Sequence, residues 1–136
     1  MIRVATIGSF GKQIIFQTSD KKILTFSNMK RTVSGRWVTH SSIKKKPFSE
    51  FEGSGLDKVT LRIQVCASHG IKPRKTIESI EKCIKKGTVE KLTIGGKKIG
   101  DNKFKITAMS ETWDEVLNNG KLYSATLDLT FEEYCK

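Results

Sequence analysis

The sequence predicts an α+β fold: a mostly antiparallel sheet, curved into a β-sandwich or partial barrel, with one α-helix packed on one face. Three observations carry that reading. Residues 58–66 alternate strictly, with Val59, Leu61, Ile63 and Val65 pointing one way and Thr60, Arg62, Gln64 and Cys66 the other. That is the period-two pattern of a strand buried on one side. Residues 103–115 and 121–134 read as a long hairpin across Asn118-Asn119-Gly120. Between these strands, Ile77, Ile80 and Ile84 recur at helical spacing, a narrow apolar stripe that covers part of a sheet.

The remaining elements follow in chain order. Gly8-Ser9-Phe10-Gly11 reads as an ordinary turn. Residues 13–17 (Gln-Ile-Ile-Phe-Gln) and 23–26 are short apolar runs around a turn at Ser19-Asp20-Lys21, which suggests an N-terminal hairpin. Residues 36–43 place Trp37, Thr39 and Ser41 on one face and Val38, His40 and Ser42 on the other. So polar a strand belongs at an edge or in an exposed ribbon, and the ribbon or loop is expected to span 31–57. Residues 52–57 (Glu-Gly-Ser-Gly-Leu-Asp) form a glycine-rich turn.

In the helix, residues 71–74 lead in, Thr76 caps, Glu78 and Glu81 lie near the start, and Lys82, Lys85 and Lys86 lie near the end. That order of charges suits the helix dipole, and Gly87 stops the helix in a left-handed cap. Residues 90–94 read as a strand that turns at Gly95-Gly96 into a partner at 97–100. For the long hairpin, Asn-Gly predicts a type I′ turn. On its last strand Tyr123, Ala125, Leu127, Leu129 and Phe131 share a face, matched by Phe104, Ile106 and Ala108 on the strand before.

Length and composition bound the function. At 136 residues, the chain fits one domain, 1–136. Apolar runs of a few residues are far short of the roughly 20 that a membrane-spanning helix needs. The first ten residues lack the apolar core of a secretory signal. Three scattered cysteines, Cys66, Cys83 and Cys135, point to free thiols in a reducing compartment.

The chemistry of a catalytic or cofactor site is missing from the pattern. Only two histidines occur, His40 and His69, and neither stands at zinc-ligand spacing from a cysteine pair. Cys66 and His69, three apart, are a poor nucleophile–base pair, because such pairs are normally assembled from separate segments. The glycines at 8, 11, 53 and 55 lack the Gly-x-Gly-x-x-Gly spacing of a nucleotide loop. Glu50/Glu52 and Glu132/Glu133 read as solvated charge. No cofactor and no metal are expected.

The charge is the positive signal. Lys+Arg number 25 against 14 Asp+Glu, a net +11, and residues 31–46 hold five cations and no anion. Such a stretch suits an acidic partner, protein or nucleic acid. Only Trp37 and Phe48 accompany it, fewer aromatics than a stacking nucleic-acid surface calls for. A sheet domain with an exposed ribbon more often works by assembling with copies of itself.

The chain also resembles the GpU family of tail proteins from contractile-tailed bacteriophages. The matching features are Ile7-Gly8-Ser9-Phe10-Gly11, Phe26-Ser27-Asn28-Met29-Lys30-Arg31, Arg36-Trp37 with His40, and Lys46-Pro47. After these come Phe51-Glu52-Gly53-Ser54-Gly55, Val59-Thr60-Leu61-Arg62-Ile63 and the C-terminal hairpin. Ser54 stands where the family typically has proline or another glycine, and the helix segment matches only in character.

The resemblance implies a non-enzymatic structural component of a contractile tail or tail-like bacteriocin particle, assembled in the bacterial cytoplasm. Its expected fold resembles phage tail tube proteins. The implied role is a ring, by analogy a hexamer, at the baseplate-proximal end of the tube. Tail tube protein, a LysM-type tail protein, the spike hub and the sheath are the expected partners. Within that reading the subunit contacts are Arg31, Arg36, Trp37, His40, Lys44, Lys45, Lys46 and Phe48. Two alternatives stay open: a tail terminator at the opposite end of the tube, and a basic nucleic-acid-binding module.

Overall fold

The computed structural model describes residues 5–11, 14–18, 23–24 and 26–135. The expected turn at Ser19-Asp20-Lys21 lies outside these residues. Twelve strands and one α-helix are described: β1 (Ala5–Phe10), β2 (Ile14–Thr18), β3 (Ile23–Leu24), β4 (Phe26–Thr32), β5 (Gly35–Ser42), β6 (Lys45–Ser54), β7 (Lys58–Cys66), α1 (Pro73–Lys86), β8 (Val89–Glu90), β9 (Leu92–Ile94), β10 (Lys97–Lys98), β11 (Lys103–Val116) and β12 (Leu122–Tyr134). They form a five-stranded sheet ordered β4-β7-β12-β11-β8, a second ordered β10-β9-β1-β2-β3, and the separate hairpin β5-β6. The fold is α+β, mostly antiparallel, with the sheet curled into a half-barrel.

The core sits where the alternation puts it. β7 and β12 pair so that Val59 meets Phe131, Leu61 meets Leu129, Ile63 meets Leu127 and Val65 meets Ala125. All eight are buried. Phe10 of β1 packs on Phe131 with ring centroids 5.3 Å apart, and Phe16 of β2 meets Phe26 of β4 edge-on at 5.0 Å. These two aromatic contacts join the sheets, each with specific ring geometry beyond its area burial. Ile77, Ile80 and Cys83 bring α1 into the same apolar cluster.

Several local expectations are corrected. Gly8 and Phe10 belong to strand β1, not to a turn. A Cβ on Gly8 would lie 2.5 Å from the Thr93 carbonyl oxygen and 2.7 Å from Ile94 Cδ1, so glycine there lets β1 and β9 approach. Residues 23–26 divide into β3 and the start of β4, which continues to Thr32. Residues 90–94 divide into β8, on the large sheet, and β9, on the small one.

The helix starts earlier than Thr76. Lys72 is its N-cap residue and Pro73 its first helical residue, a position where proline's fixed φ and missing N–H cost nothing. Thr76 instead donates its hydroxyl to the Lys72 carbonyl at 3.1 Å. No acid lies in the first turn. Glu81 pairs with Lys85 at 2.7 Å one turn on. The other end agrees with the sequence: Lys85 and Lys86 occupy the last turn and Gly87 caps it at φ 68.

The 117–121 turn is not type I′. The only described non-glycine residues with positive φ are Asn28 and Lys44, whereas Gly120 has φ 81. Gly120 N–H donates to the Leu117 carbonyl, and Leu117 N–H to that of Lys121, both at 2.8 Å. This is the three-residue loop in which a left-handed glycine follows the turn.

Candidate assembly surface

β5 and β6 pair only with each other, leaving a two-stranded ribbon outside both larger sheets. The ribbon is narrower than the 31–57 span. Residues up to Thr32 belong to β4, and β7 begins at Lys58. The predicted glycine-rich turn also begins late, since Glu52, Gly53 and Ser54 finish β6. Gly55 N–H donates to the Ser34 carbonyl at 2.8 Å, closing the ribbon where it leaves the body.

Period-two geometry gives the ribbon two faces. Trp37 lies opposite Phe51, and His40 opposite Phe48. The first pair has ring centroids 5.0 Å apart at 59°. The second is stacked at 5.0 Å, and His40 Nε2 lies 2.8 Å from Glu50 Oε2. Yet these rings remain largely in water: Trp37 is 62% exposed, Phe48 57%, Phe51 54%, and Ile43 at the tip 90%. So many exposed large apolar groups on so small an element make the ribbon a candidate interaction surface.

The cations are placed unequally. Lys44, Lys45 and Lys46 cluster at the tip, where Ser42 pairs with Lys45 across Ile43 and Lys44; none forms an ion pair with a described residue. Lys44 holds φ 65, a left-handed conformation unfavourable for a residue with a Cβ. Arg36 extends an Nη2 to the Glu52 carbonyl at 3.4 Å. Arg31 lies apart from the others, on β4, where its Nη2 donates to Asp57 Oδ2 at 2.8 Å.

Asp57 belongs to a cluster at the ribbon's base. Its N–H donates to Glu133 Oε1 at 3.2 Å, Glu133 N–H donates to the Asp57 carbonyl at 2.9 Å, and Asn102 Nδ2 donates to Glu133 Oε2 at 2.9 Å. Glu133 is therefore buried and hydrogen-bonded, which corrects its reading as solvated charge. Glu132 reaches Lys105 at 3.5 Å.

Sequence reasoning brought Arg36, Trp37, His40, Lys44, Lys45, Lys46 and Phe48 onto one element, and left out Phe51 and Ile43 of that element. Phe51 was legible as the third residue after Phe48, had 45–54 been recognised as the returning strand.

The only described imidazole–carboxylate pair is the exposed His40–Glu50 contact on the ribbon. No group of three or more His, Cys, Asp or Glu is arranged to hold a metal ion. A groove of about 560 Å³ between the start of α1 and Leu122 is lined, among the described side chains, by apolar and basic residues and glycine. Cys66 Sγ lies 3.0 Å from Ser68 Oγ. Cys83 is buried, and burial pushes its thiol above the ordinary value, with the Glu90 carboxylate adding to the rise.

The half-barrel sheet thus carries an exposed aromatic and basic ribbon outside both larger sheets, an arrangement suited to assembly. The chain belongs to the Phage P2 GpU family, which matches it over residues 13–136. No curated protein matches it. Among solved structures it is similar to a chain in the tail of an empty gene transfer agent particle of C6 symmetry, at 13% identity and a TM-score of 0.52, covering 96% of this chain and 91% of that one. A chain in the virion of a native gene transfer agent particle matches at 13% identity and a TM-score of 0.50, covering 96% and 92%. At such identities these two likenesses concern the fold.

Proposed function

We propose that the chain is a non-enzymatic, ring-forming component of a contractile phage tail or tail-like bacteriocin particle, and that the β5-β6 ribbon is its main subunit contact. The carrying observation is the ribbon itself. Trp37, Phe48, Phe51 and Ile43 stay exposed on an element outside both sheets, in a chain of the GpU family. Burying aromatic anchors at the centre of a contact supplies most of its energy, and cations around them fix orientation.

The whole chain acts as one tail-protein domain. Six copies close the ring, a number supported by the C6 symmetry of the gene transfer agent tail that holds a similar fold. The ring stands at the baseplate-proximal end of the tube. It is assembled in the bacterial cytoplasm against tube protein, a LysM-type tail protein and the spike hub, with the sheath outside.

The test is excision of residues 35–54, replaced by a short Gly-Ser link between Ser34 and Gly55, which are already hydrogen-bonded. The excised chain should fold, with unchanged far-ultraviolet circular dichroism per remaining strand, and should yield no particles. Normal particles from it would refute the ribbon assignment. Gold-labelled protein in electron micrographs should mark the baseplate end; label at the collar would replace the ring reading with a tail terminator.

A further inference from the structure

The large sheet leaves part of its far margin uncovered among the described residues. β11 spans Lys103–Val116, but β8 pairs with it only at Phe104 and Lys105. From Ile106 to Val116 no described strand covers its outer edge. Among residues 107–116, every side chain except Met109 is exposed.

The edge has its own chemistry. Residues 106–120 contain Glu111, Asp114 and Glu115 and no Lys or Arg, in a chain whose net charge is +11. Trp113, Val116 and Leu117 stand exposed beside these acids. The ribbon's tip carries the opposite charge: Lys44, Lys45 and Lys46 form no ion pair with a described residue, while Glu50 and Glu52 lie nearer its base with Arg36, and exposed rings run along both faces. Dimensions agree as well. β6 has ten residues and a free outer edge, against an open stretch of β11 at 106–116.

We propose that the open edge of β11 in one copy receives the β5-β6 ribbon of the next copy by strand addition, with Glu111, Asp114 and Glu115 facing its lysine tip. This deepens the ribbon assignment above and rests on it. Backbone pairing supplies the affinity, and the opposed charges set the partner and the register. The arrangement is head-to-tail, because the ribbon leaves the sheet at its β4 margin and the receiving edge is at the β11 side. A head-to-tail contact closes into a ring when its rotation divides a full turn. In the isolated chain the three acids also protect an open edge from indiscriminate pairing.

Carbodiimide treatment of wild-type particles, which joins only amines and carboxylates already in contact, tests the geometry without any variant. Peptides from the chain's dimer band should link Lys44, Lys45 or Lys46 to Glu111, Asp114 or Glu115. Links from these lysines only to other carboxylates, in this chain or another tail protein, overturn the proposal.

Charge reversal tests the energetics. Glu111→Lys/Asp114→Lys/Glu115→Lys and Lys44→Glu/Lys45→Glu/Lys46→Glu should each lower particle yield at least tenfold, and one chain carrying all six changes should recover most of it. If the ribbon reversal and ribbon excision abolish particles while the β11 reversal does not, the ribbon docks elsewhere: this inference fails and the tail reading stands. If none of them lowers the yield, the ribbon assignment fails with it.

Discussion

Arg31 Nη2 lies 2.8 Å from Asp57 Oδ2, joining the strand that enters the ribbon to the loop that leaves it. Glu133 and Asn102 extend that link to the end of β12 and the start of β11. An element that makes its contacts outside the sheets needs such a fixed base, because a freely swinging ribbon loses orientational entropy on docking. The Asp57 side chain is only 12% exposed, against 42% for Arg31. The carboxylate is thus the more dependent partner.

Asp57→Asn should cost about 1.5–3 kcal/mol in urea unfolding, the scale for losing a hydrogen bond to a charged group. Arg31→Ala should cost a similar amount, and the double variant clearly less than the sum, since both remove one interaction. Full additivity would show that the two side chains act independently.

Gly8→Ala should destabilise the chain by about 1–3 kcal/mol, the usual range for forcing extra volume into a packed site. The new methyl meets backbone, the Thr93 carbonyl oxygen, and cannot be accommodated by a rotamer change. Gly87→Ala is the control. Unlike Gly8 it holds a positive φ, and no atom lies within 4 Å of its added Cβ, so its cost should be backbone strain alone, about 1 kcal/mol. A Gly8→Ala chain as stable as wild type would mean that β1 and β9 are not so closely apposed.

The core faces of β7 and of most of β12 were legible because Val59 to Val65 and Ala125 to Phe131 turn apolar side chains inward at every second residue. The same rule failed where backbone chemistry decides. Gly8 looked like a turn because glycine serves both tight turns and close strand approach, and the second use depends on β9, more than 80 residues away. Lys45–Ser54 escaped notice because its alternation is polar on both faces, leaving no buried side to imprint a pattern. Glu133 was misread because its partners, Asp57 and Asn102, are distant in sequence. For the assembly surface, the cations of 44–46 and Trp37 were visible as a run, whereas the acidic edge at 111–115 gains meaning only once β8 is seen to stop at Lys105.

The thiols should report the packing. Cys135 is exposed, Cys66 half-buried and Cys83 buried. Thiolate is the reacting form, and burial raises Cys83, so less of it is ionised at any given pH than at an unperturbed thiol. Iodoacetamide at neutral pH should therefore modify Cys135 first and Cys83 only after denaturant is added. Raising the pH into the ordinary thiol range should still leave Cys83 slow, because its own ionisation lies above that range. Peptide mass spectrometry showing early labelling of Cys83 would contradict its place on the buried face of α1.

Trp37 offers a direct optical test of the ribbon. Trp113 is the chain's other tryptophan, so Trp113→Phe leaves Trp37 as the sole indole while keeping an aromatic on β11. In the isolated chain its emission should be that of a mostly hydrated indole, readily quenched by acrylamide, since 62% of the residue is exposed. Phe51→Ala should increase the quenching further, because the Phe51 ring shields one side at 5.0 Å. It should change unfolding stability by no more than about 0.5 kcal/mol, as a largely exposed site does. In assembled particles the emission should move to shorter wavelength and the acrylamide quenching should fall several-fold. Unchanged spectra on assembly would mean that Trp37 stays in water inside the particle, and the anchor of the subunit contact would then have to lie elsewhere.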